Sequence, residues 1–269
     1  MESKSHWEKV YTTKATDAVS WYQPHATLSL GLIQKVAQGK KVRVIDVGGG
    51  ASTLVDDLLD VHVGEVSVLD ISSAALQVAQ DRLGPQAQQV RWIAGDITTV
   101  DLPSAEFDIW HDRAVFHFLT DPEARAAYVA QVKRAVKPGG HVIVAAFGPD
   151  GPLQCSGLPV VRYASDTLHA EFGNEFELLE HGKEDHQTPG GAIQHFVYCH
   201  CLKQWRSCST RPFEPWPPAR SCWARCLLNG ALRWWQRTQH HRFPFSELCS
   251  FSQWARRSTA MPKHHEAVA

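Results

Sequence analysis

The stretch VIDVGGGAST, residues 44–53, decides the fold of this 269-residue chain. The apolar run Val42–Val47 predicts a buried β-strand, and three consecutive glycines, Gly48–Gly50, end it. A helical pattern follows at Thr53–Leu59. Because glycine lets the backbone approach a ligand without a Cβ in the way, this turn is a candidate ligand site. A tight strand-to-helix turn that binds nothing explains the glycines equally well.

Strands and helices alternate on both sides of this turn. We predict strands at Val66–Leu69, Val90–Ile93, Phe107–His111 and His141–Phe147, and helices at His25–Ala37, from Ser72 or Ser73 to Leu83, from Asp121 to Val136 and near Ser165–Phe172. Lys137–Gly140 reads as a turn, and Phe176–Glu180 with Ala192–Leu202 predicts a closing antiparallel hairpin. The spacing is typical of βαβ units, so we predict an α/β fold with a mostly parallel sheet covered on both faces.

The composition excludes several classes of function. The chain has 27 Lys and Arg against 28 Asp and Glu, a net charge of −1, so we predict no nucleic-acid partner. No apolar run approaches the ~20 residues of a transmembrane helix, and the N-terminus MESKSHWEKVY lacks the apolar core of a secretory signal. We therefore expect a cytoplasmic protein with no membrane partner, present as a monomer or weak dimer.

Three carboxylates follow successive strands at the same predicted edge of the sheet. Asp46 lies two residues before the first glycine, Asp70 ends the second strand and Asp96 follows the third. A carboxylate at the place of Asp70 typically receives the two ribose hydroxyls of a nucleoside, although it could equally cap a helix. Asp96 could face an adenine amino group, with Ile71 and Ile97 as apolar walls.

The segments DVGGGAS, LDIS, AGDI, FDIWHDRAVFHFL and VKPGG together resemble those of class I S-adenosylmethionine-dependent methyltransferases, over about residues 5–202. The resemblance implies a Rossmann-like three-layer sandwich with a seven-stranded sheet of order 3-2-1-4-5-7-6, its last strand antiparallel. It also implies S-adenosyl-L-methionine as the cofactor. Ser52 departs from the family pattern, which often has a third glycine there.

The same resemblance implies which residues form the site. The residues expected to bind the cofactor are Asp46, Gly48, Gly49, Gly50, Asp70, Ile71, Asp96, Ile97, His111, Trp7, Tyr11 and Tyr22. His111 and Asp112 would line the channel where the methyl group emerges, and with Tyr11 they are the candidate catalytic residues, mainly for positioning. Asp112 and Arg113 could equally form a structural ion pair. His117 fits a structural histidine better than a general base.

The predicted function is methyl transfer to a small-molecule nucleophile such as a thiol, an amine or an oxygen. The FDxxxDRA segment resembles thiopurine and other thiol methyltransferases, whereas the HWE…Y opening resembles protein-lysine methyltransferases, so a protein acceptor is the alternative. A non-catalytic module that binds S-adenosylmethionine is a third interpretation. A dehydrogenase is disfavoured, because a dinucleotide site needs G-x-G-x-x-G and Asp46 would repel a pyrophosphate.

The sequence divides into three segments. Residues 1–24 resemble an N-terminal lid, residues 25–203 form the methyltransferase domain, and residues 204–269 are expected to be disordered or a non-native C-terminal extension. Cysteines and the pair His240-His241 in that extension lack the paired spacing of a zinc site, and Cys199 and Cys201 are too close together, so we predict no metal.

Overall fold

The computed structural model describes residues 2–205, and seven strands form its main sheet. The strands are β1 (Val42–Val47), β2 (Gly64–Asp70), β3 (Val90–Ala94), β4 (Phe107–Arg113), β5 (Val136–Phe147), β6 (Phe176–Gln187) and β7 (Ile193–Lys203). Their order is β3-β2-β1-β4-β5-β7-β6, with β1 to β5 parallel and β7 antiparallel to both of its neighbours. The predicted sheet order and the antiparallel closing hairpin are confirmed. A two-residue hairpin pairs Gln154–Cys155 with Leu158–Pro159.

In the described part of the chain, six α-helices surround the sheet. They are α1 (Glu2–Thr13), α2 (Thr27–Ala37), α3 (Leu54–Asp60), α4 (Ser73–Leu83), α5 (Pro122–Ala135) and α6 (Ser165–Ala170). The predicted caps are in place: the Ser72 hydroxyl accepts the N–H of Ala75, and the Asp121 carboxylate accepts the N–H of Glu123. Within the described part of the chain, no helix has the length and apolar character needed to span a bilayer.

Two large apolar cores, one on each face of the sheet, make residues 2–205 a three-layer sandwich, as predicted. One contains Ile33, Leu58 and Leu76 from α2, α3 and α4, packed on Val44 and Ile109. The other contains side chains of α5 and α6 on the opposite face of the sheet; its members include Trp110, Tyr128, Val132, Val144 and Leu168. Because side chains alternate along a strand, β4 directs Ile109 and His111 to the first face and Trp110 and Asp112 to the second.

Strand β5 begins earlier than the sequence predicts. The sequence predicts a turn at Lys137–Gly140, before the strand, but these residues lie within β5. Val136 pairs with Phe107 and His141 with Ile109, so the four residues between them face the single residue Asp108 of β4, and the register shifts there. Gly139 has φ +77°, and the Lys137 ammonium lies 2.7 Å from the Asp108 carboxylate. The glycine pair therefore makes a bulge and not a strand boundary.

The proposed extension, with Cys208, Cys222, Cys226, Cys249 and the His240-His241 pair, lies outside the described residues except for Gln204 and Trp205.

Candidate functional site

The glycine turn after β1 packs directly against two carboxylates. Gly48 and Gly50 have φ +70° and +22°, in the region that side chains disfavour. A Cβ on Gly50 would lie 2.5 Å from Asp70 Oδ2, and one on Gly49 would lie 2.8 Å from the Asp46 carboxyl carbon. The glycines therefore form a cradle that any larger residue would fill, with both carboxylates at its wall.

Asp46 and His111 form a buried pair beside this cradle. His111 Nδ1 lies 2.7 Å from Asp46 Oδ1, and His111 Nε2 lies 2.8 Å from the hydroxyl of Ser29 in α2. The side chains of Asp46 and His111 are 4% and 3% exposed. Because both ring nitrogens have partners within the protein, the imidazole is arranged to hold the Asp46 carboxylate in place.

Asp112 faces the other side of the sheet. Its carboxylate accepts the N–H of Val115 at 2.8 Å, the N–H of Phe116 at 3.1 Å and the hydroxyl of Tyr128 at 2.6 Å. Burial raises its pKa to about 6, against the effect of these donors. Asp112 was expected to line the channel with His111, but it lines neither cavity of the site. Its contacts fix the loop after β4 and give it a positioning role.

Asp70 ends β2 with a buried carboxylate that accepts the N–H of Ser72 at 2.8 Å. Burial raises its pKa to about 7; the Ser72 N–H opposes this shift, and the charges of Asp46 and Glu8 add to it. The helix cap considered for Asp70 is supplied by the Ser72 hydroxyl instead. The remaining carboxylate lone pairs are therefore suited to a ligand that brings hydroxyl donors.

A cavity of about 610 Å³ runs along the carboxyl ends of the strands. On the side of β2 and β3 its wall contains Asp70, Ile71, Asp96 and Ile97, which we call the nucleoside end. On the side of β4, β5 and β7 its wall is mainly apolar, and we call this the acceptor end; its lining includes Trp21, Phe118, Phe147, Cys155, Leu158 and Phe196. The predicted site residues of the nucleoside end are thus brought together, and the acceptor end lies beyond them.

The N-terminal aromatic residues lie against the same cavity. Trp7 packs on Trp21 and Phe118 with ring centroids 5.6 and 5.1 Å apart, and Trp7 and Tyr11 line the large cavity. Tyr11 and Tyr22 also line a smaller cavity of about 60 Å³ beside Asp46, Gly48, Gly49 and His111. Burial, together with the charge of Asp70, raises the pKa of Tyr11 above its usual range, so its side chain remains a neutral phenol.

Arg113 was not predicted as a site residue. Its Nε donates to Glu184 Oε2 in β6 at 3.2 Å, and its guanidinium carbon lies 4.4 Å from the ring centroid of Phe196. The proposed Asp112–Arg113 ion pair is wrong, because adjacent residues of a strand point to opposite faces. Arg113 lines both cavities, a position that its place at the carboxyl end of β4 could have indicated.

His117 has the surroundings of a structural residue. His117 is fully buried, its Nδ1 accepts the N–H of Phe147 at 3.3 Å, and its ring stacks on that of Phe147. Burial, with the charge of Arg113, lowers its pKa to about 3, so the imidazole is neutral near neutral pH.

In residues 2–205 no group of three or more His, Cys, Asp or Glu side chains is placed to hold a metal ion.

Comparison with known proteins identifies the family. A family model described as a methyltransferase domain matches residues 44–140. An uncharacterized methyltransferase of Mycobacterium tuberculosis is 34% identical over 187 residues, covering 61% of this chain and 86% of that protein. The chain belongs to the class I S-adenosylmethionine-dependent methyltransferase family. The family has S-adenosylmethionine as its cofactor and methyl transfer as its class of reaction.

Other relatives of the methyltransferase differ in what they act on. The eEF1A lysine and N-terminal methyltransferase of Bos taurus is 26% identical over 147 residues, which cover 52% of this chain but only 21% of that protein. The chain thus spans about a fifth of that relative's length. The fold is shared with a Burkholderia thailandensis 1,6-didemethyltoxoflavin-N1-methyltransferase, solved with 1,6-didemethyltoxoflavin and S-adenosylhomocysteine, at a TM-score of 0.52 and 18% identity over 76% of this chain and 85% of that one.

The residues of the site fit this cofactor. The glycine cradle leaves room that a Cβ would fill, and Asp70 presents a carboxylate to hydroxyl donors. Asp46, buried at the small cavity, offers the carboxylate oxygens that suit an α-ammonium group. The two cavities share Gly48 and Tyr11 in their walls, so one elongated molecule with a nucleoside and an amino-acid end suits both.

Proposed function

We propose that this chain transfers a methyl group from S-adenosylmethionine to a small-molecule nucleophile. The observation that supports this is the single cavity of about 610 Å³, in which the nucleoside end is continuous with an apolar acceptor end. Ligand sites of small molecules are concave and mostly apolar, with a few polar groups that fix orientation. An acceptor held at the apolar end would therefore lie beside the cofactor, out of water.

We assign the cofactor contacts as follows. Asp70 accepts the ribose hydroxyls, and Ile71, Asp96 and Ile97 surround the base. The amino-acid end lies against Asp46, Gly48, Gly49, Tyr11 and Tyr22, with Gly50 making room for Asp70 and with Trp7 covering the cofactor. Residues 1–24 act as the lid. When bound, S-adenosylmethionine supplies an electrophilic methyl group on a sulfonium.

The protein's part in catalysis is placement. His111 has both nitrogens occupied, and Asp112 is bound to Tyr128 and two backbone amides, so neither takes a proton from the acceptor. At the acceptor end, burial raises the pKa of the Cys155 thiol to about 11, so it stays protonated near neutral pH. We therefore propose an acceptor that reaches the site already deprotonated, and catalysis by orientation and exclusion of water.

A protein acceptor is the second candidate. It is supported by the likeness to the eEF1A lysine and N-terminal methyltransferase over part of the chain. The concave, aromatic acceptor end favours the small-molecule proposal over this one.

The proposal is tested by calorimetric titration of the full chain with S-adenosylhomocysteine, followed by transfer assays with methyl-labelled cofactor. The acceptor panel comprises thiols, amines, phenols and carboxylic acids, with translation elongation factor eEF1A assayed in parallel. We expect binding and label on a small acceptor. Absence of binding would overturn the proposal, binding without any transfer would favour a non-catalytic module, and label on eEF1A alone would favour the protein acceptor.

A further inference from the structure

The acceptor end of the large cavity holds one cationic side chain in an otherwise mainly apolar wall. Its walls are mainly apolar rings and aliphatic groups from the loop after β4, from β5 and β7, and from the Gln154–Pro159 hairpin. Among the described residues on that side of the cavity, Arg113 alone carries a charge. Its partner Glu184 is 14% exposed and is not part of the cavity wall, so the carboxylate stands behind the guanidinium.

The guanidinium of Arg113 has unused hydrogen-bonding capacity. Its side chain is 10% exposed, and Nε is occupied by Glu184. Its Nη2 is buried and has no hydrogen-bond partner among the described residues. A buried donor without an acceptor costs free energy, which an incoming ligand can recover by supplying one. The planar, weakly hydrated guanidinium suits carboxylates in particular.

Phe196 fixes where this cation can point. The ring of Phe196 lies under the guanidinium, with 4.4 Å between the guanidinium carbon and the ring centroid, and the ion pair with Glu184 holds the other edge. Gln23 donates to the second oxygen of Glu184 at 2.9 Å, so the carboxylate itself is held from the N-terminal segment. Arg113 is therefore a preorganised group and not a mobile surface chain.

We infer that the methyl acceptor is an apolar acid, whose carboxylate binds the guanidinium of Arg113 while its apolar body fills the acceptor end. The inference rests on the proposed function and narrows it. It also favours a small-molecule acid over a protein lysine as the acceptor, because the guanidinium of Arg113 would repel the ammonium of a lysine side chain. Arg113 acts here as a specificity residue for the acceptor.

The test uses the full chain saturated with S-adenosylhomocysteine and measures binding of matched probes by calorimetry. The pairs are 1-naphthoate with 1-naphthamide, indole-3-acetate with indole-3-acetamide, and phenylacetate with phenylacetamide, which differ in charge and little in shape. We expect the wild-type chain to bind at least one carboxylate tenfold or more tightly than its amide. Arg113→Met should reduce that preference to within twofold.

Two further variants keep this test interpretable. Arg113→Met with Glu184→Gln removes the ion pair as a unit, so that no unpaired carboxylate is left buried, and it should show the same loss of preference. Arg91→Met removes an arginine that pairs with Glu106 and is 50% exposed, away from both site cavities, and it should keep the wild-type preference.

Three results would separate failure of the inference from failure of the proposed function. If the wild type binds S-adenosylhomocysteine but prefers no carboxylate in any pair, only the inference is overturned. If Arg113→Met weakens S-adenosylhomocysteine tenfold but leaves 5′-methylthioadenosine unchanged, the guanidinium binds the amino-acid carboxylate of the cofactor, and the inference is again overturned. If the wild type binds no S-adenosylhomocysteine, the proposed function fails and the inference fails with it.

Discussion

The carboxylate of Glu8 accepts a hydrogen bond from the backbone N–H of Ser73 over 2.8 Å, which joins α1 to the N-terminus of α4. The N–H of Ala74 and the hydroxyl of Ser72 also donate to it, each at 3.1 Å. Burial opposes ionisation of Glu8, but these donors outweigh it and lower its pKa. Because the first amides of a helix have no partner within the helix, a residue of α1 completes the cap of α4.

We expect Glu8→Ala to loosen α1 without unfolding the domain. The loss of cap contacts should lower the free energy of unfolding by about 0.5–2 kcal/mol. Amide hydrogen exchange in α1 should quicken severalfold, as measured by mass spectrometry. Since the pKa of Glu8 is lowered, its stabilisation is present above its ordinary value of 4.5 and is lost as pH falls through the lowered pKa, so the two proteins should converge in acid. Glu177→Ala, at an exposed position of β6, is the control. Equal exchange rates in all three proteins would show that the contacts of Glu8 with α4 do not hold α1 in place.

Asp70→Asn should weaken cofactor binding and stabilise the cofactor-free fold. Its raised pKa means that the folded state holds a proton that the unfolded state releases between pH 3.8 and about 7, so stability falls as pH rises through that range. Asparagine removes the free-energy cost of ionising a buried carboxyl group and keeps an oxygen that can accept the Ser72 N–H. We expect a higher Tm at pH 8 and at least tenfold weaker binding of S-adenosylhomocysteine by calorimetry. Asp60→Asn, at an exposed position, should change neither quantity; wild-type affinity in Asp70→Asn would place the ribose elsewhere.

Gly50→Ala should impair both the fold and the cofactor site. The new Cβ would lie 2.5 Å from Asp70 Oδ2 and 2.9 Å from the Cβ of Ala75, in addition to the strain of φ +22°. Gly39→Ala provides a matched comparison, because Gly39 has φ +76° and no atom within 4 Å of the added Cβ, so it should cost only the backbone strain of about 1–2 kcal/mol. We expect Gly50→Ala to lose at least tenfold in S-adenosylhomocysteine affinity and Gly39→Ala to retain it. Equal affinities would argue that the cradle does not contact the cofactor.

Ser29→Ala tests whether His111 positions Asp46 or acts as a base. Removing the hydroxyl leaves His111 Nε2 buried without its partner, at a cost of about 1–3 kcal/mol in stability. If the histidine only positions Asp46, methyl transfer should keep the wild-type pH dependence of kcat, with a moderate loss of cofactor affinity. A shifted pH profile would instead assign proton transfer to His111. Ser104→Ala, whose exposed hydroxyl donates to the carbonyl of Arg134, is the control.

Local patterns were enough to predict most of the fold. The glycine turn, the three acidic strand ends and the βαβ spacing all lie within short segments, and the sheet order followed from the family resemblance. Strand β6 was predicted only to Glu180 but extends to Gln187, because an edge strand with exposed side chains carries no apolar run. The turn predicted at Lys137–Gly140 failed since the bulge depends on the neighbouring strand β4.

The site was predictable where it is contiguous in sequence and less so where it is assembled by the fold. Arg113 and Glu184 are separated by most of two βα units, and Phe196 lies on the antiparallel strand, so nothing local pointed to their contact. Asp112 is a different case. Because side chains alternate along β4, placing His111 on the face of Asp46 means that the Asp112 side chain points to the opposite face of the sheet.

The alternation of side chains in β4 also limits which mutations this strand can tolerate. His111 and Asp112 serve opposite sides of one strand, the first against Asp46 at the glycine cradle and the second against Tyr128 in the core. Deleting a single residue of β4 before His111 would move Asp112 into the place of His111, against Asp46, and His111 into the place of Trp110, beside Tyr128. Two like charges would then meet at the cradle while the loop before Phe116 lost its anchor. Substitution of individual side chains remains open to this strand, but a change in its length does not.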